Sequence, residues 1–285
     1  MNRGITAVLS GGGVKAAAHL GVLRALDAGG ITPTRYIGTS MGAVIACGLA
    51  AGQSHSLIEE KLLAVRDRDV FRLDRRALLM GMFARSLLNP EPFRQTLAKL
   101  LPAERFSELR LPLSVTTTDL DSGELVVFGS GGEDAPLLDV LCASCALPLY
   151  FPAFPLNGRR LADGGLRSVV PLEVAARFPA DLVVAIDVSF GFDAAEPESQ
   201  RGPPALLKLE GEAQRALMAS NTAAQHELWL RTPERPPLLW IRPRVRRGET
   251  FATEQLRWYL AEGERAGAEA LARLRLDRAT PASNV

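Results

Sequence analysis

Three observations predict an α/β fold with a largely parallel central sheet. Short runs rich in β-branched residues alternate with helical patterns along most of the chain. Glycine clusters stand where the first two of those runs end. The length of 285 residues, 47% of them apolar and 23% charged, suits one large core.

Ile5 to Leu9 reads as a buried strand ending in the loop Ser10-Gly11-Gly12-Gly13. From about Val14 to Ala28 the pattern turns helical, with Ala16, Leu20 and Leu23 on one stripe and Gly29-Gly30 as the stop. A second strand near Tyr36-Ile37 completes a βαβ unit and runs into Gly38-Thr39-Ser40-Met41-Gly42, after which small residues through Ala50 suit a helix lying close on the sheet. Ser56 to Val65 reads as a helix, and Asn89-Pro90 as an N-cap followed by proline at the first helical position. Strands are expected at Leu113 to Thr118 and Glu124 to Phe128, joined by the turn-rich segment Asp119 to Gly123. A helix over Leu137 to Ala146 stops at Leu147-Pro148, and Leu161-Ala162-Asp163 is a strand end running into Gly164-Gly165. Then come a helix from Pro171, a buried strand over Leu182 to Val188 and a polar surface loop from Gly191 to Pro204. A long helix (Ala205 to Trp229), a strand (Leu238 to Arg242) and a last helix from Thr253 close the chain. No linker divides it, so a single domain over 1–285 is expected, with its motifs in about 5–190 and a helical part over about 203–285.

The net charge of +1 gives no reason to expect a nucleic-acid partner. Three cysteines argue against a disulfide framework and fit a reducing compartment. Cys142 and Cys145, spaced as Cys-x-x-Cys, read as buried helical thiols, because no second pair accompanies them. The first residues carry too short an apolar run for a secretory signal. No window approaches the roughly 20 apolar residues of a membrane span. A cytoplasmic protein is therefore expected, with peripheral membrane contact as an open alternative.

The chemistry is read from Gly38-x-Ser40-x-Gly42. A serine on a sharp strand-to-helix turn presents its hydroxyl, and the flanking glycines let neighbouring backbone pass close by. At a helix N-terminus Ser40 also sits near unpaired N–H groups and a positive dipole end. The Gly11-Gly12-Gly13 loop can turn successive N–H groups toward an oxyanion, with Lys15 as a nearby cation. The base is harder to find. Of three histidines, His19 lies in the first helix, His55 just past the helix that carries Ser40, and His226 in mid-helix, whereas a triad histidine comes from a loop above the strand ends. Asp163 sits at a strand terminus, where α/β sites assemble. Partial burial would raise its pKa from the reference near 3.9 and make it a better base. A Ser40–Asp163 dyad is the arrangement the residues favour.

Three motifs, Gly11-Gly12-Gly13-Val14-Lys15, Gly38-Thr39-Ser40-Met41-Gly42 and Asp163-Gly164-Gly165, resemble those of bacterial patatin-like phospholipases. Softer similarities are Thr118 to Glu124 and Ala143 to Pro148 followed by Phe151-Pro152, so that the resemblance runs in order over roughly residues 5 to 190. It implies a three-layer α/β/α sandwich, a dyad of Ser40 and Asp163, an oxyanion hole on the Gly11 to Gly13 loop, no metal or other cofactor, and hydrolysis of lipid acyl esters. The chain departs from the family pattern at Ala16, where glycine is usual, and at Lys15, where arginine is commoner.

The strongest rival is a nucleotide-binding module, since Gly11 to Ala16 fits Gly-x-Gly-x-x-Gly/Ala. The acidic residue that should end the second strand is replaced by Gly38-Thr39-Ser40, and no Gly-Lys-Ser/Thr follows the loop as the Walker pattern requires. A second rival is a catalytically silent relative that binds lipid or a partner, and the intact Ser40 and Asp163 count against it. Ser144 has no flanking glycine and reads as a helix residue near the site. Asp119 and Asp121 suit a turn and Asp187 a strand end, so all rank below Asp163. The apolar stretches Leu78 to Leu88 and Leu147 to Phe154 are expected to line the acyl channel. The apolar and basic segment Arg75 to Arg85 reads as a core-packed helix, with a lid or interfacial helix as the alternative. Arg242, Arg244, Arg246 and Arg247 read as a solvated face, with a site for anionic headgroups or a substrate phosphate as the alternative.

Overall fold

The computed structural model describes residues 4–70, 72–74, 86–189, 205–245 and 253–279. The segments 75–85 and 191–204 and the pair Arg246-Arg247, on which several expectations rest, lie outside the described residues. In chain order the elements are β1 (Ile5–Leu9), a 3-10 turn (Gly13–Ala16), α1 (Ala17–Ala28), β2 (Arg35–Thr39), α2 (Met41–Ala50), α3 (His55–Ala64) and α4 (Asp67–Val70). They continue with α5 (Pro90–Leu100), β3 (Leu113–Asp119), β4 (Leu125–Gly129), α6 (Leu137–Ser144), β5 (Phe154–Leu156), β6 (Arg159–Asp163), α7 (Leu172–Ala175), β7 (Leu182–Ile186), α8 (Ala205–Leu230), β8 (Leu238–Ile241) and α9 (Leu256–Ala279). Asn89 caps α5 as its sequence predicts, its Oδ1 accepting from the Glu91 N–H at 3.0 Å.

The sheet runs β5-β6-β3-β2-β1-β7-β8, with β4 also paired to β3. Strands β8, β7, β1, β2 and β3 are parallel, while β4, β5 and β6 join antiparallel. Alternation along each strand divides the core in two. Ala7, Leu9, Val184 and Ile186 point to the face covered by α1, α2, α3, α5, α6 and α9. Val8, Ile37, Val183 and Ala185 point to the face covered by α7 and the inner side of α8. The result is a three-layer α/β/α sandwich.

Two features position the site. First, β1 is flanked by β2 on one side and β7 on the other, so the loop after β1 opens at a topological switch point at the carboxyl ends of the parallel strands. Second, β3 acts as a ruler for two strands laid end to end. Thr39 of β2 pairs with Thr116, and Asp163 of β6 pairs with Thr117. The opposite edge of β3 is occupied by β4 over Ser114 to Thr118, so β2 and β6 share one edge and meet head to head. The sequence places Asp163 correctly at a strand end. The physical reason is this antiparallel approach toward β2, rather than membership of the parallel set.

The part of the chain beyond residue 200, which carries no motif, is packed tightly on the first helix. A methyl group built on Gly21 would lie 2.1 Å from the Leu260 carbonyl oxygen, and one on Gly263 would lie 2.1 Å from that of Ala18. Glycine at these positions lets α1 and α9 touch backbone to backbone. No helix among the described residues is long and apolar enough to cross a membrane.

Candidate active site

Ser40 is the N-cap of α2 and has φ 53° and ψ −132°, a left-handed conformation that a side chain adopts only at some cost in strain. Three neighbours enforce it. A methyl group on Gly38 would stand 2.5 Å from the Ala43 Cα, and one on Gly42 would stand 2.3 Å from the Ser10 carbonyl oxygen, so neither position admits a side chain without moving backbone. The Ser40 N–H donates to the Ser144 Oγ at 2.8 Å, and that hydroxyl donates to the Thr116 carbonyl at 2.7 Å. Ser144, fully buried on α6, therefore ties the elbow to β3. Replacing it by alanine is expected to leave two buried backbone groups unpaired and to lower stability by about 1–3 kcal/mol. Thermal unfolding of Ser144→Ala against wild type checks this.

Asp163 is buried, with its N–H donating to the Ala146 carbonyl at 3.0 Å and its carbonyl accepting from Thr118 Oγ1 at 2.9 Å. Its Oδ1 accepts the Gly165 N–H at 2.8 Å. Burial pushes the carboxyl up from 3.8 to about 6, while the nearby Ser40 hydroxyl and the Gly165 N–H pull it back. Gly164 is held to a close approach, since a methyl group there would lie 2.5 Å from the Thr116 carbonyl oxygen. The Cys145 thiol lies beside the same pair, in contact with Ser40 and raised well above its ordinary range by burial and then by the Asp163 charge.

The glycine loop passes next to Ser40, and a methyl group on Gly11 would be 3.4 Å from the Ser40 Cβ. The Gly11 N–H is committed to the Val169 carbonyl at 3.1 Å. Among the described residues, no acceptor takes the N–H of Gly12 or Gly13, which narrows the candidate oxyanion donors of this loop to these two. Gly13 has φ 60°, the left-handed conformation a glycine takes freely. Lys15 is 1% exposed and lines the same cavity. Ala16 has φ −58° in the 3-10 turn and is buried, so the fold accommodates the Cβ by which the chain departs from the usual glycine.

These groups stand at one side of a cavity of about 230 Å³. Leu147, Tyr150 and Phe151 line it, from the second stretch the sequence assigns to the channel. Leu88, from the first stretch, is packed in the core, and residues 78–85 are outside the described set. Most of the remaining apolar wall comes from helices the sequence reading did not select, with Ile45 on α2, Leu62 on α3 and Phe93 and Leu97 on α5. Their signal was the apolar stripe of each helix, which looks the same whether it faces core or cavity.

The competing bases are engaged elsewhere. Asp187 is fully buried and accepts from Arg242 Nε and Nη2 at 3.1 and 3.0 Å. Asp119 accepts the Asp121 N–H in the turn, and Asp121 pairs with Arg160 at 2.9 Å. Arg242 is thus part of an ion pair, and the Arg244 N–H is held by Glu262. None of the three histidines lines the cavity. His19 is buried in α1, His55 opens α3, and His226 stacks on Trp240 at 4.3 Å. Cys47, Cys142 and Cys145 are all free and buried, as expected.

A family model described as patatin-like phospholipase matches residues 7–176, a span holding Ser40, Asp163 and the glycine loop. An uncharacterized NTE family protein of Mycobacterium tuberculosis is 29% identical over 185 residues, which is 65% of this chain and 49% of that protein. A patatin-like phospholipase domain-containing protein of Caenorhabditis elegans is 32% identical over 183 residues, 64% of this chain and 13% of that protein. The chain therefore spans about half the length of the mycobacterial relatives it matches and a small part of the nematode one. VipD from Legionella pneumophila, a solved structure, aligns at 16% identity with a TM-score of 0.49 over 95% of this chain and 67% of its own.

Proposed function

The chain belongs to the patatin-like phospholipase family, and on that premise we propose that it is a serine acyl hydrolase cleaving fatty-acyl esters of lipids through an acyl-enzyme on Ser40. The observation that carries the reading is the meeting of Ser40 and Asp163 at the wall of an apolar cavity, beside the two unclaimed N–H groups of Gly12 and Gly13. In the proposed reaction Asp163 takes the hydroxyl proton as Ser40 Oγ attacks the ester carbonyl. The oxyanion is held by the Gly12 and Gly13 N–H groups, with Lys15 contributing positive potential. The intermediate collapses, the C–O bond breaks, and Asp163 returns the proton to the departing alcohol or lysolipid. Water then gives a proton to Asp163 and attacks the acyl-enzyme, and the Ser40 ester bond breaks. The fatty acid leaves and the proton goes back to Ser40.

The apolar lining suits a fatty-acyl chain better than a polar acyl group. Reaching that chain in an aggregate or bilayer involves transient contact with a lipid surface, which is part of the proposal. Three free, buried thiols fit a reducing, cytoplasmic setting. The described residues are proposed to form one hydrolase domain, supported by the backbone-level packing of α9 on α1.

The test is hydrolysis of p-nitrophenyl esters of graded chain length and of a phospholipid by wild-type protein. Turnover that favours fatty-acyl over acetyl esters is expected. A protein that binds lipid vesicles but cleaves no ester would be a silent relative instead. Since Asp163 must be ionised to act as base, kcat/KM is expected to fall as pH drops through about 6 and to level off above it. A pH profile on the most reactive ester checks this, and a profile flat down to pH 4.5 would contradict Asp163 as the base.

A further inference from the structure

His19, set aside as a base by its position, makes one specific contact that bears on the glycine loop. It is fully buried in α1, and its Nε2 lies 2.9 Å from the Ser10 carbonyl oxygen. A carbonyl can only accept, so the ring carries its proton on Nε2 and leaves Nδ1 bare. Nδ1 is buried with no partner among the described residues. Burial lowers the ring pKa to about 4, which keeps it neutral in the ordinary working range. An apolar side chain would fill this part of the core without stranding a nitrogen, so what the histidine adds is its single bond to Ser10.

That bond acts on a particular peptide unit. The Ser10 carbonyl and the Gly11 N–H belong to one planar group. The carbonyl is held by His19, and the N–H is held by the Val169 carbonyl at 3.1 Å. Gly42 of α2 packs on the same carbonyl oxygen, with no room for a methyl group between them. Ser10 is anchored further through its N–H to Ile186 at 3.1 Å and through its Oγ, which accepts the Val188 N–H at 2.9 Å. The Ser10–Gly11 peptide, one unit before the peptide that carries the Gly12 N–H, is therefore clamped at both ends and fixes the point from which the loop presents the Gly12 and Gly13 N–H groups.

We propose that His19 is a positioning residue for the oxyanion loop, acting through the Ser10 carbonyl and touching neither substrate nor Ser40. Its catalytic consequence rests on the acyl-hydrolase reading above, while its effect on the loop does not. Without the Nε2 donor the buried carbonyl loses its partner, and rotation of the Ser10–Gly11 peptide displaces the donors beyond it.

Three variants test this. Glutamine carries an amide N–H at nearly the distance of Nε2, asparagine places its amide nearer the position of Nδ1, and leucine supplies no donor. kcat and KM on a soluble p-nitrophenyl ester, melting temperature, and the Gly12 and Gly13 amide resonances would be recorded for each. The expected result is a kcat lowered about 10–100-fold in His19→Leu and His19→Asn with KM within about twofold, part of the loss seen when an oxyanion donor is removed outright. His19→Gln is expected to stay within about threefold of wild type, and the Gly12 and Gly13 resonances should move in the first two variants and not in the third. If His19→Leu does not fold, the asparagine and glutamine pair decides the matter alone. Wild-type kcat in folded His19→Asn, or equal losses in asparagine and glutamine that follow the melting temperature, would overturn the inference. If wild type hydrolyses nothing, the hydrolase reading falls, and the two resonances decide the positioning role, with unmoved resonances in His19→Asn overturning it.

Discussion

Asp163→Asn is expected to be inactive and more stable than wild type above pH 6. The carboxyl is buried, and its folded pKa of about 6 stands above the reference value of 3.8. A carboxylate raised in this way binds more protons folded than unfolded between those two values. Stability therefore declines as pH rises through that window, and the whole penalty is present above about 6. A shift of this size corresponds to about 3 kcal/mol. Asparagine is close to the same shape, keeps an oxygen for the Gly165 N–H and carries no charge, so it removes most of that penalty. It also removes the base, for which a loss of about 10²–10⁴ in rate is expected. Melting curves of both proteins at pH 4.5 and 8 check the first half, with the gap wide at pH 8 and narrow at pH 4.5. Ester turnover at pH 8 checks the second. A variant that is less stable at pH 8, or one that keeps wild-type turnover, would remove Asp163 from the proposed role.

Gly263→Val is expected to unfold or severely destabilise the whole protein, though the residue lies far from Ser40 in sequence. The added Cβ would fall 2.1 Å from the Ala18 carbonyl oxygen, which is backbone and cannot rotate away. Overpacking of side chains costs about 1–3 kcal/mol, and here the two helices must separate, so a loss at or above the top of that range is expected. Activity should disappear in the same transition as helix signal, because α1 follows directly on the glycine loop and carries His19. Gly211→Ala is the control. A methyl group there meets only Arg215 Nη1, at 3.8 Å, and alanine in a helix interior favours the helix by up to about 1 kcal/mol. Thermal unfolding of the two variants against wild type makes the comparison. A Gly263→Val protein that melts with wild type would show that α9 is not part of the cooperative unit.

The order of elements was legible because apolar periodicity and glycine punctuation agree along most of the chain. Ile5 to Leu9, Asn89-Pro90 and the long helix from Ala205 fall where their sequences put them. What sequence could not supply was the third dimension of the sheet. Asn157-Gly158, both at positive φ, forms the turn of the β5–β6 hairpin. It pairs the Asp163 strand with an antiparallel neighbour, but that this strand also joins β3 antiparallel, beyond the end of β2, is set only by the folded sheet. Similarly, Gly263 and Gly267 on one helix and Gly21 on another mark a close helix crossing, but a glycine in a helix pattern reveals its partner only after folding. The sequence places Ser144 near the site. Its bond to the Ser40 N–H depends on α6 crossing the end of β3, which no local pattern encodes. The cavity wall was the least legible part, since Phe93 and Leu97 face it with the same helical spacing that would face a core.

The central claim is that Ser40 is the group acylated during turnover. It is tested most directly by treating the protein with a fluorophosphonate and mapping the adduct by mass spectrometry, with Ser40→Ala in parallel. One adduct is expected, on the peptide containing Ser40, absent from the alanine variant and slowed in Asp163→Asn. An adduct on Ser144 or another residue, or none on a protein that hydrolyses esters, would contradict it.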